Sequence, residues 1–258
     1  MKLSYYEQGT GQTIVFLHGF PMDHTFWAEI QPRLSPDYHV VTPDLRGFGD
    51  SPSSDEKTTM ETYADDIANF VQKQFPLKIP FVLCGLSMGG YIAMQFVRKY
   101  QHLLAGLILS DTRTKPDPEN IAANRKIQAA KLETEGAAPL VDSMLPRLFS
   151  PWTLENEPEI VQKTKKMMIR QPIHGIAAAA RGMAERPDTT FLLDSITCPT
   201  LVVCGEKDTT SPPDEMLEIA QLIPNSTFVE IPKAGHLPPV ETPQHFTDVV
   251  RKFLQNLR

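Results

Sequence analysis

The sequence predicts an α/β fold: a doubly wound, mostly parallel sheet with an inserted helical cap. Three observations lead there. Short apolar and β-branched runs alternate with longer stretches at helical spacing along most of the 258 residues. Several of those runs are apolar without interruption, as central strands buried on both faces must be. Between Ser110 and Thr200 the alternation stops, and an interval too long for a loop is filled with helical pattern.

Taken in order, the strand signals fall at 3–7, 13–17, 39–42, 81–85, 104–110, 200–205 and 227–231. Helical spacing covers 26–34, 60–75, 88–100, 214–222 and 245–254; Ile67, Phe70, Val71 and Phe75 illustrate it. The interrupted interval reads as four helices, at 119–134, 137–148, 158–170 and 173–185, punctuated by Gly136, Pro151, Pro158, Pro172 and Pro187. The expected organisation is a core of residues 1–111 and 192–258 with a four-helix cap at 112–191.

Composition narrows the function. Hydrophobic residues make up 41% and charged residues 22%, ordinary for a globular chain, and the net charge of −6 argues against a nucleic-acid or anionic membrane surface. No run approaches the ~18 consecutive apolar residues of a membrane span. The opening residues lack a secretory pattern. Three cysteines, Cys84, Cys198 and Cys204, read as reduced thiols packed as small apolar groups, so a cytoplasmic location is expected.

The chemistry begins at Gly85-Leu86-Ser87-Met88-Gly89. An apolar strand runs into a turn whose flanks tolerate only glycine, leaving Ser87 at the tip of a nucleophile elbow. About one chain of this length in ten carries the pattern by chance, so the rest of the constellation must be found. A serine hydroxyl needs a base, and imidazole suits the task. His236 lies in the loop after the last strand, between Gly235 and Leu237-Pro238. The base needs an orienting carboxylate. Asp208 follows the strand ending at Gly205, Glu206 sits inside that turn, and Asp111 follows the strand ending at Ser110. Asp208 is favoured and Asp111 is the alternative acid. Loops at the carboxyl ends of parallel strands are where such sheets build sites. Donors for a developing oxyanion would be the N–H groups of Met88 and of Phe20, in His18-Gly19-Phe20-Pro21. His18 reads as structural.

Five pieces in this order resemble the α/β-hydrolase superfamily over essentially the whole chain: His18-Gly19-Phe20-Pro21, Asp44-Leu45-Arg46-Gly47-Phe48-Gly49-Asp50-Ser51, Gly85-Leu86-Ser87-Met88-Gly89-Gly90, Gly205-Glu206-Lys207-Asp208 and Gly235-His236. The second piece carries no catalytic group; Asp44 and Arg46 are expected to hydrogen-bond its loop. One departure is a single strand, where the family has a hairpin, ahead of the oxyanion-loop strand. The resemblance implies acyl transfer by Ser87, His236 and Asp208, with no metal or organic cofactor. Relatives that use an Asp nucleophile are set aside by Ser87, and iminopeptidases by Met88. Leu86 stands where carbon–carbon bond hydrolases often have Asn.

The Gly-Leu-Ser-Met-Gly-Gly stretch is most similar to small carboxylesterases and 3-oxoadipate enol-lactonase-like hydrolases. The implied substrate is a small ester or lactone. The alternatives are a carbon–carbon bond hydrolase, a cofactor-free perhydrolase or haloperoxidase, and a catalytically silent ligand-binding relative. Met144, Phe149 and Trp152 are candidate pocket lining, within a cap also rich in Leu148, Met167 and Met168. A substrate carrying a carboxylate would call for one of Arg113, Arg125, Arg147 or Arg181, among which the sequence does not choose.

Overall fold

The apolar runs become strands in the computed structural model of the chain, which describes residues 1–53, 55–75 and 80–257. The first half contains β1 (Tyr5–Gln8), β2 (Thr13–Leu17), α1 (Gln31–Leu34), β3 (His39–Pro43), α2 (Met60–Gln74), β4 (Phe81–Leu86), α3 (Met88–Tyr100) and β5 (Leu104–Ser110). The interval that follows holds α4 (Glu119–Glu135), α5 (Ala138–Leu148), α6 (Pro151–Asn156), α7 (Pro158–Ile169) and α8 (Ile173–Ala184). The chain then returns to the sheet with β6 (Thr200–Gly205), α9 (Pro213–Leu222), β7 (Ser226–Ile231), α10 (Pro238–Glu241) and α11 (Pro243–Gln255).

Among the described residues, seven strands form one sheet in the order β1-β3-β2-β4-β5-β6-β7. β1 pairs antiparallel with β3, and the other pairs are parallel. β2, β4 and β6 are buried at every residue, which is why they read as unbroken apolar runs. The two edge strands, β1 and β7, keep exposed positions. The order reverses between β2 and β4. Loops leaving the carboxyl ends of those two strands part in opposite directions and open a crevice there.

Two local expectations are corrected. The cap interval carries five α-helices rather than four. The extra one, α6, is short but well specified: the Ser150 hydroxyl accepts from the Thr153 N–H as an N-cap, and Pro151 opens the first turn. The expected helix over 26–34 is instead a 3-10 turn at His24–Trp27, capped by Asp23, followed by the single turn α1 with Pro32 near its start. Proline's missing N–H prevents one continuous ladder through both.

Cap and core are joined by named polar contacts. Gln171, after α7, donates to Asp23 (2.7 Å) and accepts from the Gly49 N–H (2.8 Å). Arg170 reaches the same Asp23 carboxylate at 2.7 Å. Asp44 holds its loop as expected, accepting from the His24 and Asp50 N–H groups at 2.8 and 3.0 Å. Arg46 turns outward and grips Asp66 on α2 through two nitrogens, at 2.6 and 2.7 Å.

Candidate active site

Ser87 leaves β4 in a backbone conformation that a side chain rarely adopts, with φ 54° and ψ −113°. Such a residue costs about 1–3 kcal/mol and persists only where its surroundings hold it. Here the Ser87 N–H donates to the Ser110 carbonyl at 2.9 Å, and its own carbonyl accepts from the Thr112 hydroxyl at 2.8 Å and the Gly90 N–H at 2.9 Å. The glycines on either side are required by close approach. A Cβ on Gly85 would strike the Gly89 carbonyl, and one on Gly89 would strike the Leu17 carbonyl at the end of β2. Together they bring the elbow and the loop after β2 into contact.

Three side chains from three strand ends meet in a line. The Ser87 Oγ lies 2.9 Å from His236 Nε2, and His236 Nδ1 lies 2.7 Å from Asp208 Oδ2. His236 and Asp208 are buried. Burial pushes the Asp208 carboxyl up, but the facing His236, its hydrogen bond, and the Ser211 and Thr210 N–H groups outweigh it and hold the carboxyl below its usual range. A buried carboxylate facing His236 Nδ1 holds the Nδ1–H tautomer and leaves Nε2 able to accept the serine proton.

The other acids are engaged elsewhere. Asp111, fully buried and at φ 46°, accepts from the Gly205 N–H (2.8 Å) and the Ser110 hydroxyl (2.7 Å), with no hydrogen bond to His236. Burial first, and the Asp208 charge second, drive its carboxyl well above the ordinary range, whereas Asp208 is held below it. Its place as alternative acid is therefore not supported by the geometry. Glu206 binds the Lys207 ammonium (2.7 Å) and the Lys233 N–H (2.9 Å). His18 is structural: burial pushes its pKa down, one ring nitrogen pairs with the Gly19 carbonyl (2.9 Å) and the other accepts from the Leu45 N–H (3.1 Å).

The N–H groups of Phe20 and Met88 make no hydrogen bond among the described residues. One lies in the loop after β2 and the other opens α3, whose N-terminus also favours negative charge. The Phe20–Pro21 peptide is cis. The cavity above Ser87 has a volume of about 120 Å³. Phe20, Leu140, Met144 and Met183 give it apolar wall, and Gln128, Thr210, Arg125 and Arg147 give it polar wall.

Met144 is thus on the wall, whereas the other two expected lining residues are not. Phe149 is buried outside the cavity lining, and Trp152 on α6 is 47% exposed, because that short helix turns it to solvent. Of the four candidate arginines, Arg113 pairs with Glu215 and Arg181 with the Glu56 carbonyl and Glu133. Arg125 and Arg147 face the cavity. Arg125 is held by Asp117 at 2.5 Å, which also pairs with the buried Arg186. The Arg147 guanidinium makes no ion pair or hydrogen bond among the described residues.

Sequence reasoning missed Glu241. Its Oε1 accepts from the Gly235 N–H (2.8 Å) and the Leu237 N–H (3.2 Å), while Oε2 accepts from the Ser150 N–H (2.8 Å) and the Thr153 hydroxyl (2.7 Å). One buried carboxylate thereby pins both sides of His236 to the α5–α6 junction of the cap. The available signal was an acid alone in an apolar, proline-rich stretch, Leu237-Pro238-Pro239-Val240-Glu241.

Two clusters bring three possible ligand groups together, Asp23–His24–Asp44 and Asp111–Asp208–His236. In the first, Asp23 already accepts from Thr25, Arg170 and Gln171, and Asp44 from His24 and Asp50. In the second, Asp111 is held by the Gly205 N–H and the Ser110 hydroxyl, and Asp208 and His236 are paired with each other. Neither presents a free set of donors. No described helix is long and apolar enough to cross a membrane.

Residues 12–243 match the family model described as the alpha/beta hydrolase fold. The chain is 30% identical to 3-oxoadipate enol-lactonase 1 of Acinetobacter baylyi, covering 95% of this chain and 89% of that one. It is 26% identical to the pimeloyl-[acyl-carrier protein] methyl ester esterase of Aeromonas hydrophila, covering 98% and 100%. Among solved structures, a thermophilic esterase from Thermogutta terrifontis, determined with malate bound, superposes with a TM-score of 0.96 at 45% identity, covering 99% of this chain and 93% of that one.

Proposed function

The chain belongs to the alpha/beta hydrolase fold family, and from that premise we propose that it is a serine hydrolase of small carboxylic esters or lactones. The observation that carries the reading is the hydrogen-bonded line from Ser87 Oγ through His236 to Asp208, at 2.9 and 2.7 Å. His236 removes the Ser87 proton as the hydroxyl attacks the substrate carbonyl. The Phe20 and Met88 N–H groups receive the oxyanion, and Asp208 stabilises the imidazolium. His236 then protonates the leaving oxygen. A water deprotonated by His236 attacks the acyl-enzyme, and the acid departs with Ser87 restored.

The wall composition favours substrates that carry a carboxylate of their own. The sequence alone suggests an apolar wall suited to uncharged acyl groups, but two arginines line the cavity and the Arg147 guanidinium has no partner among the described residues. The malate held by the Thermogutta relative is a dicarboxylate, which supports the same reading. The partner is a small molecule rather than a nucleic acid or a membrane, and three free, buried cysteines suit a reducing, cytoplasmic setting.

The test is Ser87→Ala. Turnover of p-nitrophenyl butyrate should fall by about 10⁴- to 10⁶-fold and fluorophosphonate labelling should vanish. Undiminished labelling in the variant would sink the nucleophile. An ester, lactone and peracid panel on the native chain separates hydrolysis from perhydrolysis.

A further inference from the structure

A second cavity, of about 480 Å³, shares no lining residue with the one above Ser87. It lies in the seam where α7 of the cap meets the core. α7 presents two apolar faces. Val161 and Met168 are buried, while Ile160, Thr164 and Met167 line the seam. The facing wall is Phe26 and Ala28, near the 3-10 turn, with Val240 and Pro243 from the start of the last two helices. The floor is therefore apolar, and its size lies within the range of sites that hold a small organic molecule.

The rim is cationic. Lys163, Lys166 and Arg170 border the cavity. The two lysine ammonium groups have no ion pair or hydrogen bond among the described residues. Arg170 spends Nε and Nη2 on Asp23, at 3.1 and 2.7 Å, and its Nη1 has no hydrogen bond among the described residues. The acid on the rim, Glu29, is already paired with Arg33 at 2.8 Å. The Thr164 hydroxyl, on a residue 4% exposed, also lacks a hydrogen bond among the described residues. On a chain of net charge −6, this is a local surplus of positive charge over an apolar floor.

We propose that the seam binds a straight-chain monocarboxylate of about eight to twelve carbons. Its carboxylate meets Lys163, Lys166 and Nη1 of Arg170, and its chain lies against Phe26, Ile160, Met167 and Val240. A dicarboxylate does not suit the floor, because its second charge would be buried without a partner. A cationic amphiphile does not suit the rim. The site is independent of the chemistry proposed at Ser87.

Decanoate is the probe, read by NMR of protein labelled at the methionine methyl groups. Met167 reports the seam, while Met144 and Met183 report the cavity above Ser87. The Met167 resonance should shift saturably, with octanoate binding about 16-fold more weakly, at about fourfold per buried methylene. Lys163→Glu with Lys166→Glu, both on exposed positions, should weaken decanoate by tenfold or more at an unchanged Tm. Decyltrimethylammonium should leave Met167 unmoved. The proposal is overturned if decanoate moves only Met144 and Met183, if the charge reversals leave its affinity unchanged, or if the cationic amphiphile competes equally. None of these results bears on the Ser87 reading, which the labelling experiment tests separately.

Discussion

The crevice at the ends of β2 and β4 and the cap above it are built on different physical terms. In the crevice, position is set by backbone: an elbow held at φ 54°, glycines that a Cβ would force apart, and buried polar side chains with fixed partners. In the cap, position is set by helix faces, where a side chain's role depends on how neighbouring helices pack. Asp208 and His236 have little freedom once the sheet forms. Arg125, Arg147 and Arg181 have equal chemistry and different fates, decided by Asp117, by an open cavity and by Glu133. Chemistry is expected to reside in the first region and selectivity in the second.

The largest effect should separate two buried acids of the core. Asp208→Asn should lower kcat by about 10⁴-fold, because the wrong tautomer of His236 then faces Ser87. Asp111→Asn should cost less than about tenfold, since Asp111 makes no hydrogen bond to His236 and an amide oxygen can still accept from the Gly205 N–H. Equal losses in steady-state kinetics would break the distinction drawn here.

A cap variant should change preference without touching the chemistry. Arg147→Gln should lower kcat/KM for monoethyl succinate by about 10- to 100-fold, the worth of a charge-assisted hydrogen bond, and leave ethyl butyrate within about twofold. A parallel fall for both esters would move Arg147 out of substrate recognition.

A smaller effect concerns the loops on which the crevice rests. The hydrogen bond to Asp44 raises the His24 pKa against the opposing effect of burial. The pair's stabilisation is therefore fully present below the unfolded value of 6.5 and is lost as pH rises through the higher folded value. His24 is about a third exposed, so the difference should stay below about 1 kcal/mol. Thermal melts of the native chain and of His24→Asn should differ most below pH 6.5 and converge as pH rises through the raised folded value; a gap that widens with pH would reverse the sign. The least effect is expected from Trp152→Ala, within about twofold in kcat/KM for every ester, because this residue is exposed on α6.

Legibility followed the same division. β2, β5, β6 and α3 occupy the expected residues because their signals are local: unbroken apolar runs, or helical spacing that begins at once after a glycine turn. Ser87, Asp208, His236, Phe20 and Met88 were all visible as small patterns at strand ends, and the structure brings them together. Trp152 and Phe149 were misjudged because apolar character says that a side chain prefers burial, not which cavity it borders. Glu241 was overlooked because its four hydrogen bonds join segments distant in sequence, residues 150 and 153 with 235 and 237.

By itself the sequence determined the layered sheet, the elbow and the order of the residues that surround it, since strand periodicity and tight turns are encoded within a few neighbours. Only the tertiary structure decided which acid faces His236, which arginines border the cavity and that a second, cation-rimmed seam exists. Those outcomes depend on burial, charge and distance between segments far apart in the chain, and no local pattern carries them.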